Sequence, residues 1–249
     1  LGSPNLSFVD SFFESMSGIT TTGATIITDL DSTPKSMLIW RAMLQWLGGI
    51  GIIVIAIAVF PVLRLGGMQL FKTEFSARDD KVLPRTKTIA LGIGSVYILL
   101  TFVCFIFLVL AGMGLFDAIA HAMTIIATGG FSTKNMSIGF FDSVYIEITT
   151  MIFMLVSALP FLLILQTFKG RIFELLKNSQ VQFFFVTILI LVFVTTFWLQ
   201  KYYEVSFVQA LRIASFSIIS VTTGSGFSTY DFSTWGSFTT IILLFFMLI

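Results

Sequence analysis

The sequence is poor in the residues that most soluble chemistry is built from. Charged side chains make up 11% of it, against about 25% in soluble domains, so an ordinary water-facing globule is excluded. There is one cysteine, Cys104, and an intrachain disulfide is therefore impossible; set in "LLTFVCFIFLVL" it reads as a buried, inert thiol. There is one histidine, His121, so a Cys/His zinc cluster cannot be assembled. The net charge of +1 gives no case for a nucleic-acid partner. The chain has no opening methionine and no basic-then-apolar leader, and its last apolar run is too short to span, so the expectation is an internal piece of a longer protein.

What the sequence holds in excess is apolar surface: 56% hydrophobic residues, 29 Phe and a mean hydropathy of +0.99. Lipid is the expected solvent for much of it. A helix needs about 20 apolar residues to cross a bilayer core. Four stretches predict such spans, at about 37–65, 89–115, 143–168 and 180–200, and a fifth begins near Thr234. Three shorter apolar segments, at about 7–17, 114–126 and 206–221, reach only part way across. Each is followed by a Gly/Thr/Ser stretch, the pattern of a re-entrant half-helix whose return survives at membrane depth only when protein or water satisfies it. Nine of the fourteen basic residues fall in two linkers: Arg64, Lys72, Arg78, Lys81, Arg85 and Lys87 in one, and Lys169, Arg171 and Lys177 in the other. That bias places both linkers in the cytoplasm and the returns toward the outside.

The returns resemble one another. "GFST" occurs at 130–133 and again at 226–229, and "ATGG" and "TGSG" precede its second residue at 127–130 and 223–226. "TTTG" at 20–23 joins them, which aligns Gly23, Gly130 and Gly226 at spacings of 107 and 96 residues. Upstream, Ser7 with Asp10 and Ser206 with Gln209 predict capping boxes, and Gly114 stands in the same place. From that N-cap to the aligned glycine is 16, 16 and 20 residues, so the third half-helix is expected to be about one turn longer. Asp31-Ser32, Asp142-Ser143 and Asp231-Phe232-Ser233 are expected to cap the spans that follow.

Each return leaves the negative end of a half-helix, where carbonyls lack partners. A glycine free to take positive φ lets successive carbonyls face one axis. Hydroxyls of Thr20, Thr21, Thr22, Thr128, Thr223 and Ser225 add further oxygens. Several such loops around one axis would replace the hydration shell of an ion. No Asp or Glu lies in the three tips, which suits a monovalent cation better than a divalent one. The Asp117/His121 pair reads as a polar contact along one helix face rather than as a catalytic dyad. "TGGFSTK" does not meet the phosphate-loop pattern. Gly48, Gly49 and Gly51 predict close packing against a half-helix, with direct ion contact as the lesser reading. Arg41 is expected to pair with Asp29 or Asp31 or to snorkel, Glu147 to lie at the outer interface, and Pro160 to kink its span.

With those residues in view, the chain resembles the Trk/Ktr/HKT superfamily of potassium transporters, and most of all its TrkH/TrkG branch. The resemblance rests on "SGITTTGAT" (17–25), "RAMLQWLGGIGIIVIAIAVFP" (41–61), "GGMQL" (66–70), "ATGGFST" (127–133) and "TTGSGFST" (222–229). It implies an all-α polytopic membrane protein built from M1–P–M2 repeats with re-entrant pore half-helices, not an enzyme. The first repeat without its M1 would be 1–65, a cytoplasmic linker 66–88, the second repeat 89–168, a second linker 169–178, and the third repeat 179–249, truncated in its M2. The implied function is potassium uptake through a carbonyl-lined filter made by four repeats, three of them present. Its filter residues would be Thr21, Thr22 and Gly23; Thr128, Gly129 and Gly130; and Gly224, Ser225 and Gly226. Potassium is implied as the transported ion, with no covalent cofactor. The implied setting is the plasma (cell inner) membrane, with the lipid bilayer, a second copy in a homodimer and a cytoplasmic nucleotide-binding subunit of the TrkA type as partners. The last of these would face the linker 64–88. The rival reading is a non-transporting scaffold or receptor whose re-entrant segments only pack.

Overall fold

A computed structural model describes residues 6–63, 82–168, 170, 172–203 and 205–230. Every regular element among them is helical, so the fold is all-α. Residues 64–81 of the basic linker and the span expected from Thr234 lie outside the described residues, and the linker's last residues, 82–88, open a helix.

Three short helices form where the capping signals place them: α1 (Phe8–Ile19), α4 (Leu115–Ile126) and α9 (Phe207–Thr222). At the head of α1 the Ser7 hydroxyl accepts from the Asp10 amide at 3.1 Å, and the Ser7 amide donates to the Asp10 carboxylate at 3.2 Å. Ser206 caps α9 through the Gln209 amide at 3.3 Å without the return bond that would complete a box, whereas Gly114 has no side chain to cap α4. The helices have 12, 12 and 16 residues, the one-turn excess expected of the third. At about 1.5 Å per residue none reaches the roughly 30 Å of a bilayer core.

The long helices are α2 (Lys35–Leu63), α3 (Val82–Leu110) and α8 (Ser179–Tyr203). Thr88–Leu110 and Ser179–Tyr203 are long and apolar enough to cross a membrane singly. α5 (Val144–Ser157) and α6 (Phe161–Phe168) complete a third span only as a bent pair. The bend is 97°, far more than the kink expected at Pro160. Proline lacks the amide that would continue the ladder and disfavours helical backbone at Leu159, so the helix stops and restarts. The Ser157 hydroxyl, on the last turn before the break, donates to the Ile125 carbonyl of α4 at 3.2 Å. A short helix α7 (Ile172–Lys177) leads into α8.

The caps expected for the spans differ in detail. The Ser32 hydroxyl turns back to the Asp29 carboxylate at 2.6 Å, and α2 starts at Lys35 instead. Ser143 is the N-cap residue of α5 but makes no side-chain bond there. Asp231–Ser233 lie outside the described residues.

α4 is the hub. It packs against α2, α3 and α5, while α1 lies on α2 and α9 lies on α8 and α5. Tyr97, Cys104 and Leu108 of α3, Ile125 of α4, Met154 of α5 and Phe216 of α9 are buried together in one apolar core. The thiol is thus sealed in that core. On the outside, Phe102, Leu110, Phe183 and Leu189 are well exposed, the distribution lipid requires.

The glycines of α2 are packing positions. A Cβ on Gly48 would overlap the Ile19 carbonyl at the end of α1, and one on Gly49 would press on Ala127 and the Tyr97 hydroxyl. α2 therefore touches the ends of two short helices at once. Gly48→Val is expected to destabilise the intact protein by about 1–3 kcal/mol, the usual cost of overpacking. Gly51→Val, whose Cβ meets no described atom within 4 Å, should change the thermal midpoint little. Melting both variants in detergent checks the difference.

Candidate functional site

The three short helices end in the same way. The Thr21 amide donates to the Gly18 carbonyl and the Thr22 amide to Ser17, both at 3.0 Å. Thr128 and Gly129 repeat these bonds to Ile125 (3.0 Å) and Thr124 (2.9 Å), and Gly224 and Ser225 to Val221 (3.1 Å) and Ser220 (3.0 Å). This paired closure is a Schellman motif, which requires a left-handed residue just past the helix. Those residues are Thr21 (φ 56°), Thr128 (φ 51°) and Gly224 (φ 71°). A β-branched residue in that conformation costs about 1–3 kcal/mol and persists only when its surroundings demand it.

Two residues further on, the aligned glycines are left-handed as well: Gly23 at 77°, Gly130 at 79° and Gly226 at 76°. Thr22, Gly129 and Ser225, between the pairs, are not. Each tip therefore alternates in the sign of φ, which turns consecutive peptide units the same way. The carbonyls of Thr21, Thr22 and Gly23, of Thr128 and Gly130, and of Gly224, Ser225 and Gly226 accept no hydrogen bond from the described residues. The Gly129 carbonyl differs: it accepts from the Gln45 amide at 2.6 Å.

The tips also pack in one register. A Cβ on Gly23 would overlap the Gly129 carbonyl oxygen, and a Cβ on Gly130 would overlap that of Ser225. The aligned glycine of one return thus lies against the middle carbonyl of the next, so the first, second and third returns follow one another along a shared arc. Hydroxyls brace the arc from behind. Ser17 donates to the Ala24 carbonyl and Ser220 to the Phe227 carbonyl, each at 2.6 Å. Both serines sit six residues before their aligned glycine, a spacing present in the sequence. Thr124, at the same place in the second return, bonds back to Ala120 and His121 instead. The Thr20 and Thr223 hydroxyls likewise close helix carbonyls, those of Met16 and Ile219.

Larger side chains tie one return to the next. Arg41 pairs with neither Asp29 nor Asp31 and does not snorkel outward: it is 3% exposed, and its Nε donates to Glu14 at 2.7 Å. The same guanidinium donates to the Ser132 carbonyl at 3.3 Å and to the Thr25 hydroxyl at 3.1 Å, and stacks 4.0 Å from the Phe131 ring centre. Glu14 in turn accepts from the Thr25 hydroxyl and the Ile26 amide. Glu147 is buried as well and holds Arg212 of α9 through two bonds of 2.6 and 2.7 Å. A buried carboxylate is costly unless an opposite charge meets it, and Glu14 and Glu147 each have one.

His121 does face Asp117, but through the backbone. Its Nδ1 donates to the Asp117 carbonyl at 2.8 Å and its Nε2 meets the Ser132 hydroxyl at 2.9 Å, while the Asp117 carboxylate accepts from Thr133 at 2.6 Å. These contacts hold the exit of the second return. Outside the arc, Asn135 accepts from the Leu30 amide at 2.7 Å and donates to Asp29 at 3.4 Å. The Ser32 hydroxyl and, after it, the Asn135 amide hold the Asp29 carboxyl below the usual carboxylate range. The Gly139 amide donates to the Ser228 carbonyl at 3.1 Å, linking the second exit to the third.

Chemically, the arc offers neutral oxygens at the negative ends of three helices, which favours a monovalent cation. The nearby carboxylates of Glu14 and Asp117 are spent on internal partners.

The chain has relatives among known proteins. Residues 1–249 match the TrkH family, described as a cation transport protein. The chain is 42% identical over 239 residues to the Trk system potassium uptake protein TrkH of Halomonas elongata, covering 94% of this chain and 49% of that protein. It is 38% identical over 247 residues to the Trk system potassium uptake protein TrkG of Escherichia coli K12, with 96% and 50% covered. Its structure superposes on the crystal structure of the potassium transporter TrkH from Vibrio parahaemolyticus with a TM-score of 0.86 at 39% identity, over 98% of this chain and 50% of that one. The chain thus spans about half the length of the relatives it matches.

Proposed function

Because the chain belongs to the TrkH family of cation transport proteins, we propose that it supplies three of the four returns of one potassium filter in a multi-pass membrane protein. The observation that carries this reading is the repeated tip. Three helix ends share one alternation of φ and hold their carbonyls free of helix bonds, and the aligned glycines of the first two, Gly23 and Gly130, pack against a carbonyl of the next return. On this reading Thr21–Gly23, Thr128–Gly130 and Gly224–Gly226 line the filter, and the fourth return belongs to the part of the relatives that this chain does not cover. Residues 1–65, 89–168 and 179–249 are then three repeats, joined by cytoplasmic linkers 66–88 and 169–178. Potassium is the transported ion, and no covalent cofactor is needed for passage along neutral oxygens. A homodimer in the cell inner membrane, regulated by a cytoplasmic nucleotide-binding subunit of the TrkA type, completes the proposal.

The test is growth. A bacterium stripped of its potassium uptake systems and given the intact protein is expected to grow on low potassium. Gly23→Val, which would overlap the second return, is expected to prevent that growth at equal membrane abundance. Growth unaffected by the substitution would contradict the filter reading and favour a scaffold role.

A further inference from the structure

We propose that Gln45 is a positioning residue for ion selection: an amide on α2 that fixes the second return, and with it the spacing between the first two returns. The inference rests on the filter reading and goes beyond it, since Gln45 lines none of the three tips.

Gln45 is 0% exposed. Its Nε2 donates to the Gly129 carbonyl at 2.6 Å, and its Oε1 accepts from the Phe131 amide at 3.1 Å. One carboxamide therefore brackets Gly130 on both sides, using its donor and its acceptor at once. Space is committed to it: a Cβ on Gly129 would collide with the carboxamide, and one on Gly23 would come 3.7 Å from Nε2. The amide thus sits where the first return meets the second. The matching carbonyls of the other returns, on Thr22 and Ser225, accept no hydrogen bond from the described residues. Only the middle return is pinned in this way among them.

The pin has a mechanical consequence. With one lone pair of the Gly129 oxygen held by Gln45, the 129–130 peptide cannot swing, and the Gly23 backbone rests against a fixed oxygen. Phe131, whose amide the same side chain satisfies, also carries the Arg41 guanidinium on its ring. Without Gln45 a buried carbonyl and a buried amide both lose their partner, and the peptide is free to turn. Ions of equal charge and different radius are told apart by the size of the site and by the number and field of the oxygens that replace their water, and a peptide free to turn alters both. The expected loss is therefore in selection, ahead of any loss in folding.

The chemistry of substitution separates this role from simple packing. Gln45→Met keeps the volume and removes both bonds. Gln45→Glu keeps the shape; when protonated its hydroxyl donates to Gly129 and its carbonyl accepts from Phe131, and when ionised it has no donor for Gly129.

The experiment uses the intact protein in liposomes, with potassium and sodium flux measured at pH 5 and pH 8, and Gly130→Ala as the reference variant. Gln45→Met is expected to lower the potassium-to-sodium ratio roughly three- to tenfold at both pH values, the scale of a lost buried hydrogen bond. Gln45→Glu is expected to exceed Gln45→Met at pH 5, by virtue of its protonated carboxyl. A Gln45→Met ratio equal to wild type, with Gly130→Ala impaired, would overturn the role of Gln45 and leave the filter reading standing. Equal losses in both Gln45 variants at pH 5 would reduce the residue to packing and also overturn it. If neither Gly130→Ala nor Gln45→Met shifts the ratio, the filter reading itself fails. Should Gln45→Met not reach the membrane, the comparison of Gln45→Glu with wild type at the two pH values decides: a ratio below wild type at pH 8 that recovers at pH 5 supports the role, and a pH-independent loss overturns it.

Discussion

In the intact protein, Gly130→Ala is expected to cut potassium uptake roughly 5- to 150-fold, the rate equivalent of about 1–3 kcal/mol of overpacking strain. Two costs meet at this residue. Its φ of 79° is one an alanine tolerates only with strain, and its added methyl would overlap the Ser225 carbonyl. The first cost is survivable, as Thr21 and Thr128 show by holding φ of 56° and 51° in their own returns. The second is not, because the obstacle is backbone and cannot rotate away. Gly224 supplies the control. It is left-handed at 71° in the position that threonine occupies in the other two returns, and a Cβ there meets no described atom within 4 Å. Gly224→Thr should keep most of the uptake that Gly130→Ala loses. Initial rates of potassium uptake at matched membrane abundance give the comparison, and equal damage from both would mean that conformation rather than the glycine–carbonyl register controls the site.

The second large effect concerns stability. Glu14 and Arg41 form an ion pair whose side chains are 7% and 4% exposed. Removing one member leaves the other buried and unpaired, at a cost of about 3–5 kcal/mol. Glu14→Leu is expected to be the most damaging single change, because it strands a guanidinium and also frees the Thr25 hydroxyl and the Ile26 amide. The double variant Glu14→Leu with Arg41→Met should recover part of the loss, since no charge then remains in the site. Thermal midpoints of the intact protein in detergent measure this directly. A double variant that melts below both singles would show that the pair contributes more than the removal of each other's burial cost.

Local order was legible in the sequence because local rules govern it. Ser7 with Asp10 and Ser206 with Gln209 announced two helix starts, the spacing to Gly226 announced a longer third helix, and the aligned glycines announced positive φ. The left-handed threonines were not legible. Thr21 and Thr128 break the preference of β-branched residues, and only the Schellman closure behind them explains why. Side-chain partners were legible least of all. Arg41 lies closer in sequence to Asp29 and Asp31 than to Glu14, yet pairs with Glu14, because the choice depends on which carboxylate the packed returns bury. Glu147 finds Arg212 across 65 positions for the same reason. Gln45 reads as one polar residue in an apolar span until the second return folds against it. Pro160 marked a disturbance but not its size, a turn of 97° beside which the Ser157 hydroxyl bonds the Ile125 carbonyl of α4.

The central claim is that the three tips face one cation. The most direct test is anomalous diffraction from crystals of the intact, transport-competent protein grown in rubidium. The account predicts rubidium on the inner side of the arc, within coordination distance of carbonyls among Thr21–Gly23, Thr128–Gly130 and Gly224–Gly226, and displaced by excess potassium. Rubidium bound only elsewhere, with these carbonyls turned away from it, would contradict the account.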